Sequence, residues 1–437
     1  MERLLMQDLI AWKANPGKKP LIVQGVRQCG KTYLIEEFGK RYYNDIVHYR
    51  FDKDVKEKGF FTDDLDPKRI IKDMGLARGK AIKPHETLIF FDEIQECGSA
   101  ITSLKYFYED TPEYHIISAG SLLGVALNKG VSFPVGKVEF LTLYPMNFYE
   151  FLFAQNEMLA EELSSSVLTA SIWKSFRKEL LEKYRDYSVI GGMPEVVQKW
   201  IDTRDIDEVE SKHDEILLGY QRDFAKYAEA NDYPKISAIW HSIPSQLGKV
   251  NRKFIFSQVK KGWRAKDLEA ALIWLLDAGL VYKVECIGKP DFPVSSYANH
   301  TFFKLYMVDI GLLRRHADLP SSIVFDDSPV FKEFKGAMAE NYVACELKMM
   351  YGKTKGKDLY YWTAEGSGKA EVDFIVQDKK YIIPVEVKSG TATRARSLAE
   401  YRRRYNPEMS VLTSLDDLSE KNLPLYAFWK FKDRVAL

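Results

Sequence analysis

Eight consecutive residues, Gly25-Val26-Arg27-Gln28-Cys29-Gly30-Lys31-Thr32, meet every fixed position of the spacing G-x-x-x-x-G-K-[ST]. Glycines at the first and sixth positions let the backbone turn tightly and bring its N–H groups against an anion. A lysine directly after the second glycine reaches β- and γ-phosphates, and the next hydroxyl serves Mg²⁺. The chemistry expected of Gly25 to Thr32, with Tyr33 following, is therefore binding of a nucleoside triphosphate, with Lys31 and Thr32 in those two roles. Leu88-Ile89-Phe90-Phe91-Asp92-Glu93 is an apolar run ending in two acids. Such a strand end emerges at a ligand crevice, where Asp92 can hold Mg²⁺ through water and Glu93 can orient or deprotonate an attacking water. Tyr114 to Ala119 forms another apolar run that leads into Gly120-Ser121. Ser121 either senses the γ-phosphate or caps a helix over Leu122 to Leu127.

A different constellation lies near the C-terminus, in Glu371-Val372-Asp373-Phe374-Ile375-Val376 and Pro384-Val385-Glu386-Val387-Lys388. The polar turn Gln377-Asp378-Lys379-Lys380 joins them as a hairpin. Side chains alternate along a strand, so Glu386 and Lys388 share a face that Asp373 can meet from its partner. Carboxylates so placed can bind Mg²⁺ or Mn²⁺, and a lysine beside them can position water or stabilise charge on a phosphate. This layout resembles that of the PD-(D/E)XK nucleases, in which a preceding helix often adds a glutamate. Glu340, on a helix from Phe334 to Met350, occupies that place. The metal set implied is Glu340, Asp373 and Glu386, and the catalytic set Asp373, Glu386 and Lys388. Acid-x-lysine pairs also form ordinary cross-strand salt bridges. Against that reading, Asp373 interrupts an apolar strand, where an unpartnered carboxylate is costly to bury.

The elements that must hold these groups can be read around them. Pro20 to Gln24 is a short buried strand, and Thr32 to Lys40 has the apolar spacing of a helix, so the order is strand, loop, helix. Residues 1–155 alternate strands and helices, which predicts a parallel sheet wound by helices. Residues 156–232 read as a helical lid or connector, interrupted by Gly191-Gly192-Met193-Pro194. Residues 233–325 have a winged-helix-like order: helices over Lys235 to Leu247 and Arg264 to Ala278, an element near Phe254 to Val259, and strands at Leu280 to Glu285 and Phe303 to Met307. From Lys249 to Lys266 there are seven basic residues and no acidic one: Lys249, Arg252, Lys253, Lys260, Lys261, Arg264 and Lys266. The run suits either contact with DNA or RNA phosphates or a solvated face. Residues 326–437 are left for the α/β domain with the carboxylates.

Composition sets the outer bounds. The 437 residues exceed one ordinary core, and 46% hydrophobic with 29% charged residues is a globular balance. A formal net charge of +1 confines any nucleic-acid contact to local patches. Cys29, Cys97, Cys286 and Cys345 are scattered without metal-ligand or disulfide spacing. No apolar run is long enough to span a membrane and no signal-peptide core is present, so a cytoplasmic location is expected.

Taken together, the chain resembles the bacterial and archaeal AAA-type ATP-binding proteins that join a P-loop ATPase to a C-terminal nuclease-like domain. The resemblance rests on Lys19 to Thr32, Phe91-Asp92-Glu93-Ile94-Gln95, Ala119-Gly120-Ser121, Tyr144-Pro145-Met146-Asn147-Phe148, Gly191-Gly192-Met193-Pro194-Glu195, Asp277-Ala278-Gly279-Leu280-Val281 and the Asp373/Glu386/Lys388 set. It implies an α/β fold comprising a P-loop parallel sheet, a helical lid, a winged-helix-like module and a C-terminal α/β restriction-endonuclease-like domain. It further implies ATP hydrolysis with Mg²⁺ at Thr32 and Asp92, assisted by Glu93. The nucleotide state then controls a domain that either cuts nucleic acid or only docks DNA, RNA or a protein, and assembly into homo-oligomers is in keeping with such relatives. Gly136-Lys137 stands where relatives usually carry Gly-Arg, which weakens any phosphate-contacting role of that cation.

Overall fold

Strands covered by helices on both faces have no polar side, so they read as continuous apolar runs and pair in parallel. The computed structural model describes all residues except 55, 128–132, 250–251, 326–331, 353–357, 365–369, 392–394 and 437. Five strands form one sheet, β1 (Leu21–Gln24), β2 (Asp45–Arg50), β3 (Thr87–Asp92), β4 (His115–Gly120) and β5 (Glu139–Thr142), and its three central strands β3, β4 and β1 are the ones buried along nearly their whole length. Their order is β2-β3-β4-β1-β5, and every neighbouring pair is parallel. Alternate residues of β3 feed opposite layers. Ile89 and Phe91 pack with Ile70, Ile101 and Phe107, whereas Leu88 and Phe90 pack with Trp12, Leu34 and Phe38. Since β1 lies between β4 and β5, the loops at the carboxyl ends of β1, β3 and β4 meet where the strand order reverses, the usual ligand crevice of an open parallel sheet.

The described chain divides into two units. The first contains Met1–Tyr144 and Asp277–Gly279; the second contains Pro145–Leu276, Leu280–Gly352 and the described residues beyond. The helix Phe148–Gln155, expected within the first segment, belongs to the second unit. A capping box of Asn147 and Glu150 starts it, and buried Glu346 accepts from Phe148 N at 2.9 Å and Asn147 Nδ2 at 3.3 Å.

The second unit contains a seven-stranded mixed sheet built from β6 (Val281–Ile287), β7 (Ala298–Met307), β8 (Leu359–Thr363), β9 (Glu371–Asp378), β10 (Tyr381–Val387), β11 (Val411–Ser414) and β12 (Asn422–Pro424). The order is β12-β11-β10-β9-β8-β6-β7. The expected helices are present at Tyr233–Leu247 and Ala265–Asp277, with a short turn of helix at Phe256–Gln258 between them. The β6/β7 hairpin that follows is not a free-standing wing, because β6 also pairs in parallel with β8 and joins the hairpin to the C-terminal strands. The boundary expected at 325/326 falls against residues 326–331, outside the described residues.

Two of the glycine- and proline-bearing motifs meet inside this unit. Met146 N donates to Gly192 O at 2.7 Å, Tyr187 OH donates to Met146 O at 2.7 Å, and Gly192 N donates to Asp309 Oδ2 at 2.6 Å. A Cβ on Gly192 would lie 1.8 Å from Met146 O, so only glycine allows the two backbones to approach. No helix among the described residues is long and apolar enough to cross a membrane.

Candidate functional site

The loop after β1 is shaped by its own glycines. A Cβ on Gly25 would stand 2.2 Å from Leu143 O and 3.1 Å from Cys29 Sγ, and Gly30 has a φ of 91° that favours glycine. Val26 and Cys29 are buried beneath the loop, while the Arg27 side chain is exposed. Gln28 adopts a left-handed φ of 66°. The helix Lys31–Tyr42 then begins with no side-chain cap at Gly30, an arrangement that leaves its first N–H groups for an anion. Lys31 Nζ donates to the carbonyls of Gly25 and Val26, each at 2.9 Å. From behind, buried Arg3 donates to Cys29 O at 2.8 Å and to Tyr144 O. Tyr33 lies on the outer side of the helix, half exposed, with its hydroxyl accepting from the N-terminal amine at 3.1 Å.

Asp92 and Glu93 stand beside this loop. Thr32 Oγ1 donates to Asp92 Oδ2 at 2.8 Å, and Glu93 N donates to Asp92 Oδ1 at 3.0 Å. His48 Nε2 lies 3.5 Å from Asp92 Oδ2, and its Nδ1 lies 3.2 Å from Glu36 Oε1. Burial alone would raise the Asp92 pKa, but His48 and Thr32 outweigh it and hold the carboxyl below its ordinary value. Glu93 has a left-handed backbone, φ 49° and ψ 48°, an uncommon conformation for a residue with a side chain. Its Oε2 accepts from Gln95 Nε2 and from Ser121 Oγ at 3.2 Å. The Ser121 hydroxyl thus reaches the glutamate. Lys137 pairs with Glu109 at 2.9 Å.

His48, Arg3 and Gln95 escape a motif search. His48 needs the β2/β3 register to reach Asp92, and Arg3 acts from an N-terminal segment with no motif of its own. Gln95 alone carried a signal, its position two residues after Glu93.

The second unit brings the C-terminal residues together. Asp373 Oδ2 accepts from Val387 N at 2.8 Å, which sets β9 against β10 beside Glu386, and Lys388 Nζ pairs with Glu386 Oε1 at 2.6 Å. Burial, followed by the charge of Asp373, pushes the Glu386 pKa up to about 7. Glu340 is buried on the helix Lys332–Tyr351 and accepts from Tyr306 OH at 2.8 Å. Among the described residues no three His, Cys, Asp or Glu side chains are grouped to hold a metal ion, and Glu340, Asp373 and Glu386 are all described.

Of the seven basic residues, Arg252 is committed to Glu340, and Lys249 donates to Gln258 Oε1 at 2.5 Å. Lys260, Lys261, Arg264 and Lys266 remain exposed around the start of the helix Ala265–Asp277.

Comparison with known proteins divides the chain in a similar way. Residues 17–152 match a family described as an AAA domain. Residues 181–322 and 335–428 match two families described only as domains of unknown function. An uncharacterized protein of Methanocaldococcus jannaschii is 23% identical over 443 residues, covering 94% of this chain and 87% of that protein. Among solved structures, a Walker-type ATPase of Pyrococcus abyssi aligns with a TM-score of 0.44 and 14% identity over 71% of this chain and 94% of that one. The AMPPCP-bound DnaA of Aquifex aeolicus aligns with a TM-score of 0.24 and 16% identity over 62% of this chain and 75% of that one. Residues 17–152, which match the AAA-domain family, carry the five-stranded parallel sheet and the phosphate loop, an α/β fold of the kind typical of P-loop NTPases.

Proposed function

We propose that this protein binds ATP in the loop Gly25 to Thr32 and hydrolyses it with Mg²⁺, and that nucleotide state governs what the second unit binds. The observation that supports the reading is the 2.8 Å hydrogen bond from Thr32 Oγ1 to Asp92 Oδ2, which brings together, across 60 positions, the two residues proposed to hold Mg²⁺. The donor set fits the cation, because a hydroxyl and an ionised carboxylate are hard oxygen ligands of the kind Mg²⁺ takes. Thr32 and Asp92 would hold it, and bound Mg²⁺ would neutralise charge on the phosphate oxygens.

The chain's own groups supply the rest. The loop N–H groups and the uncapped helix start receive phosphate, and Lys31 exchanges the Gly25 and Val26 carbonyls for phosphate oxygens. Glu93 orients or deprotonates the attacking water, and Ser121 and Gln95 fix its carboxylate beforehand. The test is nucleotide binding by Lys31→Ala, measured with a fluorescent ATP analogue. Loss of binding with an unchanged circular dichroism spectrum is expected, and wild-type affinity would sink the reading.

For the second unit, docking of a nucleic acid or a protein is favoured over cutting by the cations that face its carboxylates. The exposed Lys260, Lys261 and Arg264 provide a phosphate-binding face. If that face binds DNA, neutralising these three residues lowers affinity and flattens its salt dependence by roughly one unit of log–log slope per lost contact. DNA binding indifferent to the triple change removes the proposed face. Cutting at Asp373, Glu386 and Lys388 is the competing reading, supported by their juxtaposition. Nicking of DNA or RNA with Mn²⁺ that Glu386→Ala abolishes, with ATP turnover unchanged, would establish it.

A further inference from the structure

Lys304 lies on β7 with its side chain wholly buried. Its Nζ is 2.7 Å from Glu371 Oε1, 3.4 Å from Glu340 Oε2 and 3.9 Å from Asp373 Oδ1. These carboxylates come from two elements, Glu340 from the helix Lys332–Tyr351 and the other two from β9. Glu340 also pairs with Arg252, and Tyr306, two positions from Lys304 on the same face of β7, donates its hydroxyl to Glu340 Oε2.

Burying an ammonium without partners costs far more than a domain can offset, so its presence here requires the carboxylates as much as they require it. Burial alone would lower the Lys304 pKa, yet the Tyr306 hydroxyl and the Glu371 and Asp373 carboxylates outweigh it and hold it above its ordinary value. Lys388, whose side chain is partly exposed, pairs with Glu386 Oε1 at 2.6 Å. Each acid that a divalent cation would need is thus already opposed by a cation of the chain.

We propose that the Lys304 ammonium occupies, among Glu340, Glu371 and Asp373, the place that a divalent cation would take in a metal-dependent nuclease, so that this cluster works without metal. Its function is to staple the β6/β7 hairpin to the helix and strands that carry the acids. This goes beyond the ATP reading and does not depend on it, since it concerns only the second unit.

The test is electron paramagnetic resonance of Mn²⁺ titrated into the nucleotide-free full chain. Wild type is expected to show no Mn²⁺ binding that Asp373→Asn removes. Lys304→Met, which keeps the stem and deletes the charge, is expected to gain about one Mn²⁺ per chain, lost again in the Lys304→Met/Asp373→Asn double variant. Mn²⁺ bound by wild type and abolished by Asp373→Asn overturns the proposal, as does a folded Lys304→Met that takes up none. Should Lys304→Met fail to fold, the comparison of wild type with Asp373→Asn decides the matter alone.

Discussion

Arg3 holds the backbone of Cys29: its Nη1 donates to the Cys29 carbonyl at 2.8 Å while Nη2 donates to the carbonyl of Tyr144. One buried guanidinium therefore fixes both the phosphate loop and the last residue of the Met1–Tyr144 segment. A hydrogen bond from a charged group contributes about 1.5–3 kcal/mol, so Arg3→Ala is expected to weaken ATP binding about 10- to 100-fold. Arg3→Lys should recover part of this, because a single ammonium cannot reproduce the planar fork. An Arg3→Ala protein with wild-type affinity in a nucleotide titration would show that the loop holds its shape unaided.

Thr32 and Asp92 are hydrogen-bonded to each other and share the proposed cation, so their contributions cannot be independent. Thr32→Ala and Asp92→Asn should each raise the Mg²⁺ concentration needed for half-maximal turnover. The double variant should fall short of additivity by about 1 kcal/mol or more, the range for residues in contact. Strict additivity in that cycle would place the two residues in separate roles.

Glu93 is the expected base, and Ser121 and Gln95 only position it. Glu93→Gln should retain ATP binding and lose turnover by a factor of about 100 or more, the usual worth of a general base. Ser121→Ala and Gln95→Ala should lower kcat by less, with little change in KM, because each removes one of two hydrogen bonds on the same oxygen. A Glu93→Gln enzyme that turns over normally would assign the base elsewhere.

Glu346 is fully buried, and that burial pushes its pKa from 4.5 up to about 7, against the hydrogen bonds from Phe148 N and Asn147 that favour its charge. A carboxyl raised in the folded state retains its proton where the unfolded chain has released it. Its contribution to stability is therefore largest below pH ~4.5, falls as pH rises to ~7, and is constant above. Glu346→Gln cannot ionise and so removes this dependence. Urea titrations at about pH 5 and pH 8 should show wild type losing on the order of 3 kcal/mol more than the variant over that interval. Parallel losses in both proteins would mean that Glu346 titrates normally.

The sequence by itself determined the local half of this protein. The strand, loop and helix around Lys31 were legible because each is short, contiguous and dictated by glycine geometry and apolar runs within a few residues. The hairpin bearing Asp373 and Glu386 was legible for the same reason. What the sequence could not supply was the partner of each charged group. His48 reaches Asp92 only through the β2/β3 register, and Arg3 reaches Cys29 and Tyr144 across separations of 26 and 141 positions. Arg252 read as one member of a basic run, whereas the fold assigns it to Glu340. The β6/β7 hairpin read as the wing of a separate module until its pairing with β8 carried Lys304 into the acidic cluster. Tertiary structure decided these points because whether a carboxylate awaits a metal or already faces an ammonium depends on which residues are neighbours in space, and those neighbours were distant in the chain.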